Sequence, residues 1–401
     1  MRIAMISEHA SPLAAIGGVD AGGQNIHVAR LAAALAGRGH AVDVYTRRDS
    51  RRVPERVTVA DGYTVYHVPA GPAKAMAKDE LLPHMESFGR WLADRWCAVG
   101  TPNVLHAHFW MSGLAALAAT RRHPIPVVMT YHALGSVKRR MQGAADTSPP
   151  DRIDLERMVG RAAHRIVAQC SDEVRELGGY GIPRERISVV PSGVDTHTFR
   201  PLSNSRRSAL KRILTVGRMV ERKGFADLVR AVPDLPDVRL VVAGGPAREK
   251  LADDPVASGL MRLAKELGVA GRVRLLGSVS PAQMPHWYCA TELLACTPAY
   301  EPFGITPLEA MACGKPVVAY KVGGLQDTVV HGQTGALVPP GDHTALVASL
   351  RALLDDDEAR AAQGRAARAR VEAHYPWPTI AARVEQVYAD AIRTAPTLAL
   401  A

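Results

Sequence analysis

The sequence predicts an α/β protein made of two parallel-sheet domains, and three observations carry that prediction. Its 401 residues exceed what one compact domain usually holds, about 100 to 200 residues. Short apolar runs alternate with longer amphipathic ones, the pattern of strands joined by crossover helices. The alternation pauses at a polar stretch, Pro201 to Arg207, and then restarts.

In the first domain, taken as residues 1–200, six runs read as strands: Arg2 to Ser7, Ala41 to Thr46, Asn103 to Ala107, Val127 to Tyr131, Arg165 to Gln169 and Ile187 to Val190. All are short and apolar. Amphipathic stretches near 24–37, 79–98, 112–121 and 152–163 supply the helices between them. In the second domain, 201–377, strands fall near 212–217, 238–243, 272–276, 293–296, 316–320 and 336–338. A helical region at 343–373 follows, and the prolines of His374-Tyr375-Pro376-Trp377-Pro378 break it before a last amphipathic helix, Ile380 to Ile392. The run Asp355-Asp356-Asp357 lies between helical segments and away from the Gly-rich strand ends, so it reads as a solvated turn rather than a metal site.

Hydrophobic residues make up 47% and charged residues 22%, which excludes a disordered or fibrous chain. The net charge of +10, carried mostly by arginine, points to an anionic partner: a phosphate, a nucleic acid or an acidic membrane surface. Five scattered cysteines with no C-x-x-C pair offer neither a disulfide framework nor a zinc finger, and the expectation is a reduced, cytoplasmic setting. The N-terminus turns polar too early for a signal peptide, and no run approaches about 18 apolar residues.

Several motifs fall at strand ends. Gly17-Gly18-Val19-Asp20-Ala21-Gly22-Gly23-Gln24-Asn25 leads into a helix and frees backbone N–H groups for an anion, but its spacing is not that of a dinucleotide fingerprint. A plain surface loop is the alternative. Arg218 and Lys223 flank a strand-to-helix turn where two cations can hold a diphosphate. Gly244-Gly245 and Gly323-Gly324 are expected on the same carboxyl edge, where open parallel sheets bind ligands. The segment Glu301-Pro302-Phe303-Gly304-Ile305-Thr306-Pro307-Leu308-Glu309 predicts a short helix with Thr306 as N-cap, Glu309 closing a capping box and Gly314 as the stop. That account leaves Glu301 and the Gly304-Ile305 amides unexplained. With the cations at 218 and 223, they suit a diphosphate.

Glu301-Pro302-Phe303-Gly304 with Glu309 eight residues on resembles the E-x7-E signature of the retaining glycosyltransferases of family 4. Gly22-Gly23, His132, Pro191-Ser192-Gly193-Val194-Asp195, Gly217-Arg218 with Lys223-Gly224, and Gly323-Gly324 extend the resemblance over nearly the whole chain. Lys78-Asp79-Glu80-Leu81 and His106-Ala107-His108-Phe109-Trp110 look most like the branch of sucrose-phosphate synthases and the mycothiol-pathway glycosyltransferase. The resemblance implies a GT-B fold, two facing Rossmann-like domains with an interdomain cleft, and a C-terminal helix (378–401) packing back on the first domain. It implies a nucleotide-diphosphate sugar, with UDP favoured, and no metal or other cofactor. Arg218, Lys223 and the Gly304-Ile305-Thr306 backbone would hold the diphosphate, Glu309 the ribose, and Glu301 the sugar. Gly22 and Gly23 would close on the phosphates, and His132 would lie near the reacting carbon.

The acceptor side, Asn25, Lys78, Phe109 and Arg152, departs from that branch. Phe109 and Ala133 stand where the mycothiol enzyme carries a tyrosine and a threonine, which weakens phosphate recognition and leaves Lys78 and Arg152 as anion contacts. Gln283 replaces an acidic residue common in relatives and leaves the nucleobase open. His106, His108 and His132 can be read as a zinc triad, but no carboxylate lies nearby in sequence to support one. Basic clusters at Arg47-Arg48, Arg51-Arg52, Lys138-Arg139-Arg140 and Arg206-Arg207 suit an acidic membrane surface or an anionic acceptor. Nucleic acid is not expected as a partner, and the oligomeric state stays open. Two other functions fit the motifs: a nucleotide-sugar-binding subunit without transfer activity, and a nucleotide-sugar epimerase.

Overall fold

A computed structural model describes residues 1–14, 22–202 and 210–395. The loop before Gly22 and most of the Pro201 to Arg207 linker therefore lie outside the described residues. The chain divides into two units, one running to Ser192 and resuming at Trp377, the other spanning Gly193–Pro376. The boundary comes earlier than the 200/201 junction expected from sequence. Val194 N–H donates to Tyr375 O at 2.9 Å and its side chain is buried in the core of the second unit. That anchors the Gly193-Val194 stretch to the second unit rather than the first.

Among the described residues the first unit holds eight strands: β1 (Arg2–Ile6), β2 (Ala41–Arg47), β3 (Arg56–Thr58), β4 (Thr64–Val68), β5 (Val104–His108), β6 (Val127–Thr130), β7 (Arg165–Ala168) and β8 (Ile187–Val189). Their order is β3-β4-β2-β1-β5-β6-β7-β8. All pairings are parallel except β3 with β4, an antiparallel edge that the sequence reading missed along with β4 itself. Helices Gly135–Gln142 and Ser171–Gly179 were also missed. Ile3 and Met5 face one apolar layer while Ala4 and Ile6 face the other, as a strand covered on both sides requires.

The last helix, Trp377–Thr394, covers one face of this sheet through Ile380, Val384, Val387 and Tyr388. It begins before the predicted Ile380. Pro378 falls in the first turn, where its missing N–H has no intrahelical partner to lose.

The second unit is a six-stranded parallel sheet in the order β11-β10-β9-β12-β13-β14. Its strands are β9 (Lys211–Val216), β10 (Val238–Ala243), β11 (Val273–Gly277), β12 (Leu293–Cys296), β13 (Val317–Tyr320) and β14 (Gly335–Val338). Ile213 and Leu214 point to opposite apolar layers. The long helical region expected at 343–373 is two helices, His343–Asp355 and Asp357–His374, because Asp356 turns its carboxylate onto Ala359 N–H at 2.8 Å and caps the second.

Part of the arginine excess is structural. Arg47 is 5% exposed and donates to Pro72 O and Lys74 O, each at 2.7 Å. Arg48 ties down Val53 O, while Lys138 and Arg140 pair with Asp146 and Glu176. Arg47, Arg48 and Lys138 are thus held by loop carbonyls or a carboxylate, whereas Arg140 keeps its side chain 57% exposed. No helix among the described residues is long and apolar enough to cross a membrane.

Candidate functional site

In the second sheet the strand order reverses between β9 and β12, and the crevice outside their carboxyl ends is the place where such sheets bind ligands. A small pocket opens there. Thr215, Val216, Lys223, Cys296, Glu301, Gly304 and Thr306 help line it. Gly224 makes the approach possible: its φ is +68°, and a Cβ there would sit 1.7 Å from Thr297 O. Gly323, with φ +46°, is pressed equally hard against Glu301 O, and the next N–H, from Gly324, donates to that same oxygen at 3.0 Å. The glycine pair at the end of β13 therefore supports the loop that carries Glu301.

Lys223 Nζ donates to Glu301 Oε2 at 2.5 Å, and both side chains are largely buried, 17% and 14% exposed. Burial opposes ionisation of Glu301, but Lys223, Arg222 and Arg218 outweigh it and hold the carboxyl below its ordinary value. Arg218 is exposed at the end of β9. Arg222, unremarked in the sequence, lies over the Tyr300 ring with its carbon 5.2 Å from the centroid, and its backbone oxygen accepts from Ala299 N–H. Three cations thus surround one carboxylate. Its visible signal was the run Glu221-Arg222-Lys223, of which only Lys223 was singled out.

The predicted capping box does not form. The helix is Ile305–Ala312 with Gly304 at its N-cap, so Thr306 lies inside the first turn. Gly304 adopts φ +82°, which turns the chain into the helix before Thr306 can cap it. The start of this helix presents backbone N–H groups to the crevice, where its dipole favours negative charge. Glu309 faces Tyr288, whose hydroxyl donates to Glu309 Oε2 at 2.6 Å. Burial raises the Glu309 pKa to about 7. Sequence reading missed Tyr288 because nothing local ties the helix Met284–Cys289 to Glu309.

In the first unit, β5 and β6 deliver His108, Phe109 and His132 to the carboxyl edge. Phe109 and His132 have φ of 81° and 60°, the only described non-glycine residues with positive values. His108 Nδ1 lies 3.0 Å from His132 Nε2, and His27 Nδ1 lies 3.0 Å from Ser192 Oγ. Burial, followed by the neighbouring histidines, lowers His132 well below the usual imidazole range, so the ring is neutral at neutral pH. His106 points elsewhere: its nitrogens meet Tyr388 Oη at 2.7 Å and Thr130 Oγ1 at 2.9 Å. His106 therefore does not join His108 and His132 in one cluster. His27, one turn into helix Gly23–Gly37, lies beside His108 and His132 instead.

The acceptor-side residues are brought together only in part. Phe109 is 3% exposed, with Lys78 Nζ 5.1 Å and the Arg152 guanidinium carbon 5.2 Å from its ring centroid. Arg152 is buried and donates one hydrogen bond from each nitrogen, to Glu156, Ser148 Oγ and Ala133 O. Burial and then Arg152 depress the Lys78 pKa. Asn25 spends its amide on structure, accepting from Gly22 N–H and donating to Ser11 O, each at 2.9 Å. Gly22 and Gly23 start the helix, while the loop that precedes them is outside the described residues.

Comparison with known proteins gives a consistent picture. A family model described as Glycosyltransferase Family 4 matches residues 21–198, and one described as Glycosyl transferases group 1 matches 202–370. The chain is 38% identical to the D-inositol 3-phosphate glycosyltransferase of Xylanimonas cellulosilytica, covering 98% of each. It is 37% identical to the enzyme of the same name from Mycolicibacterium smegmatis, over 94% of this chain and 88% of that one. Among solved structures, sucrose-phosphate synthase from Thermosynechococcus elongatus superposes with a TM-score of 0.89 at 30% identity, covering 97% of this chain and 98% of that one. Anabaena Alr3699/HepE in complex with UDP-glucose shares the fold at a TM-score of 0.74 and 20% identity, over 97% and 99% of the two chains.

Proposed function

The chain belongs to glycosyltransferase family 4, and from that premise we propose a retaining, metal-independent transferase that moves a hexosyl group from a UDP-sugar to a hydroxyl acceptor. The observation that carries this reading is the second-unit crevice. Arg218, Lys223 and Arg222 gather there around Glu301, beside a helix start with free N–H groups. A departing diphosphate needs that charge, and fixed cations and dipoles supply it without reorganisation.

In this reading the diphosphate takes Arg218 and Lys223, while Glu301, kept ionised, accepts hydrogen bonds from the sugar hydroxyls. Glu309 accepts from the ribose. The acceptor hydroxyl attacks the anomeric carbon on the face that the diphosphate leaves. The anomeric C–O bond to phosphate breaks, the new C–O bond forms on the same side, and the hydroxyl proton passes to the departing phosphate oxygen. His132, neutral, hydrogen-bonds the transferred sugar. The preference for UDP rests on the branch resemblance.

Phe109 offers no hydroxyl, and Arg152 is buried and anchored to Glu156, Ser148 and Ala133. Both features favour an acceptor recognised by its hydroxyls rather than by a phosphate. The second reading is the acceptor in the relatives' name, D-inositol 3-phosphate, which Lys78 favours as a cation lying 5.1 Å from the Phe109 ring centroid.

The test is nucleoside diphosphate release from UDP-glucose, UDP-N-acetylglucosamine or GDP-mannose, with inositol or inositol phosphate as acceptor and with a chelator present. Acceptor-dependent release that Arg218→Ala and Lys223→Ala each abolish supports the reading. Normal activity in both variants sinks it. Isomerised donor without release indicates an epimerase, and donor binding without turnover indicates a binding subunit.

A further inference from the structure

We propose that His27, His108 and His132 form a binding site for one divalent transition-metal ion of the zinc class, and that filling it takes His132 out of use. The three rings converge from separate elements: the helix after Gly22, the end of β5 and the turn after β6. Their centroids are 5.7, 5.0 and 5.2 Å apart. Bonds of about 2.0 Å from three imidazole nitrogens to a tetrahedral ion place ring centroids roughly 5 Å apart. One ligand nitrogen from each residue lies within 4.8 Å of the other two. The closest pair, His108 Nδ1 and His132 Nε2 at 3.0 Å, is near the roughly 3.3 Å that two such ligands span.

The surroundings fit as well. His27 Nδ1 is held by Ser192 Oγ, which fixes the ring and leaves Nε2 for the ion, the outer-shell arrangement that metal-binding histidines use. His108 Nε2 is buried with no hydrogen-bond partner among the described residues, so no second bond pins this ring and either of its nitrogens can turn to the ion. Burial keeps His27 and His108 neutral, as metal ligation requires. His132 is half-buried and gives the ion its way in. Three neutral nitrogens favour zinc, nickel or copper over magnesium and calcium, which want oxygen ligands.

The binding half of the proposal stands without the transferase reading, and the inhibitory half rests on it. The experiment is calorimetric titration of the chelator-treated full chain with Zn²⁺ and with Mg²⁺. It is run in a Cys97→Ser background, because exposed Cys97 lies 3.3 Å from His123 and forms a competing surface pair. One zinc per chain and no magnesium heat are expected. Affinity should fall by at least about 10- to 100-fold in both His27→Phe and His27→Gln, with unchanged circular dichroism. Nucleoside diphosphate release should drop as zinc fills the site, and each His27 variant should lose that sensitivity relative to its own metal-free rate. No zinc heat in the Cys97→Ser protein, or undiminished binding in both His27 variants, overturns the site. Stoichiometric binding with an unchanged transfer rate overturns the inhibitory role alone, and release in neither state points to failure of the transferase reading.

Discussion

Replacing Lys223 with alanine separates the structural from the functional use of one side chain. Glu301 is a largely buried carboxylate whose nearest cation is Lys223 Nζ, at 2.5 Å. Removing one partner of a buried pair costs about 3 to 5 kcal/mol, and because Arg222 and Arg218 remain nearby we expect the lower end, about 3 kcal/mol. For a domain of this size that lowers the melting temperature by roughly 6 to 12 °C. Adding Glu301→Gln removes the stranded charge, so the double variant should recover most of that shift while activity stays down by about 100- to 1,000-fold.

The pH dependence has a fixed sign. The folded Glu301 pKa is depressed, so its contribution to stability is full above the ordinary 4.5 and is lost as pH falls below it. Lys223→Ala should flatten that acid limb. Thermal unfolding across pH, alongside nucleoside diphosphate release, reads both effects. Lys223→Ala melting with the wild type, or a double variant no more stable than the single, refutes the account.

The remaining predictions concern the donor helix, its support and the acceptor side. Glu309 has its pKa raised to about 7, so UDP affinity measured by calorimetry should strengthen as pH rises through that value, and Glu309→Gln should remove the dependence. The same shift makes ionisation of Glu309 destabilising, so Glu309→Gln should also flatten a decline in melting temperature between 4.5 and about 7. Gly323→Ala places a Cβ 2.0 Å from Glu301 O at φ +46°, and should cost more than about 1 kcal/mol in unfolding experiments and reduce transfer with every charged site residue intact. Phe109→Tyr with Ala133→Thr restores two hydroxyls, and should raise kcat/KM for a phosphorylated acceptor by about five- to tenfold relative to its unphosphorylated form.

What the sequence made legible followed from periodicity and local spacing. The strands of both parallel sheets announced themselves as short apolar runs, and the cations at Arg218 and Lys223 stood out against glycine-bounded turns. β3 and β4 escaped because a hairpin interrupts the strand–helix alternation on which the reading relied. Thr306 failed as a cap because the backbone angle of Gly304, invisible in a sequence, decides where the helix begins. Tyr288 and His27 were missed for a different reason. Each acts on a partner far along the chain, Tyr288 on Glu309 and His27 beside His108 and His132, and only the packed sheets set those pairs.

Phe109 and His132 show how the fold commits its first unit to a task. Both take a left-handed backbone that bulky or branched residues avoid at a cost of about 1 to 3 kcal/mol each, and glycine would adopt it freely. They sit at the ends of neighbouring strands, and the strain is held in place by backbone bonds: Phe109 N–H to Thr130 O at 2.8 Å and Ala133 N–H to Tyr131 O at 2.7 Å. Phe109→Gly should therefore relax the turn, yet it removes the ring against which Lys78 and Arg152 lie. If the strain serves the acceptor side, Phe109→Gly will lose far more transfer than stability. A parallel loss of both would make the ring a core residue and leave the strained turn without a function.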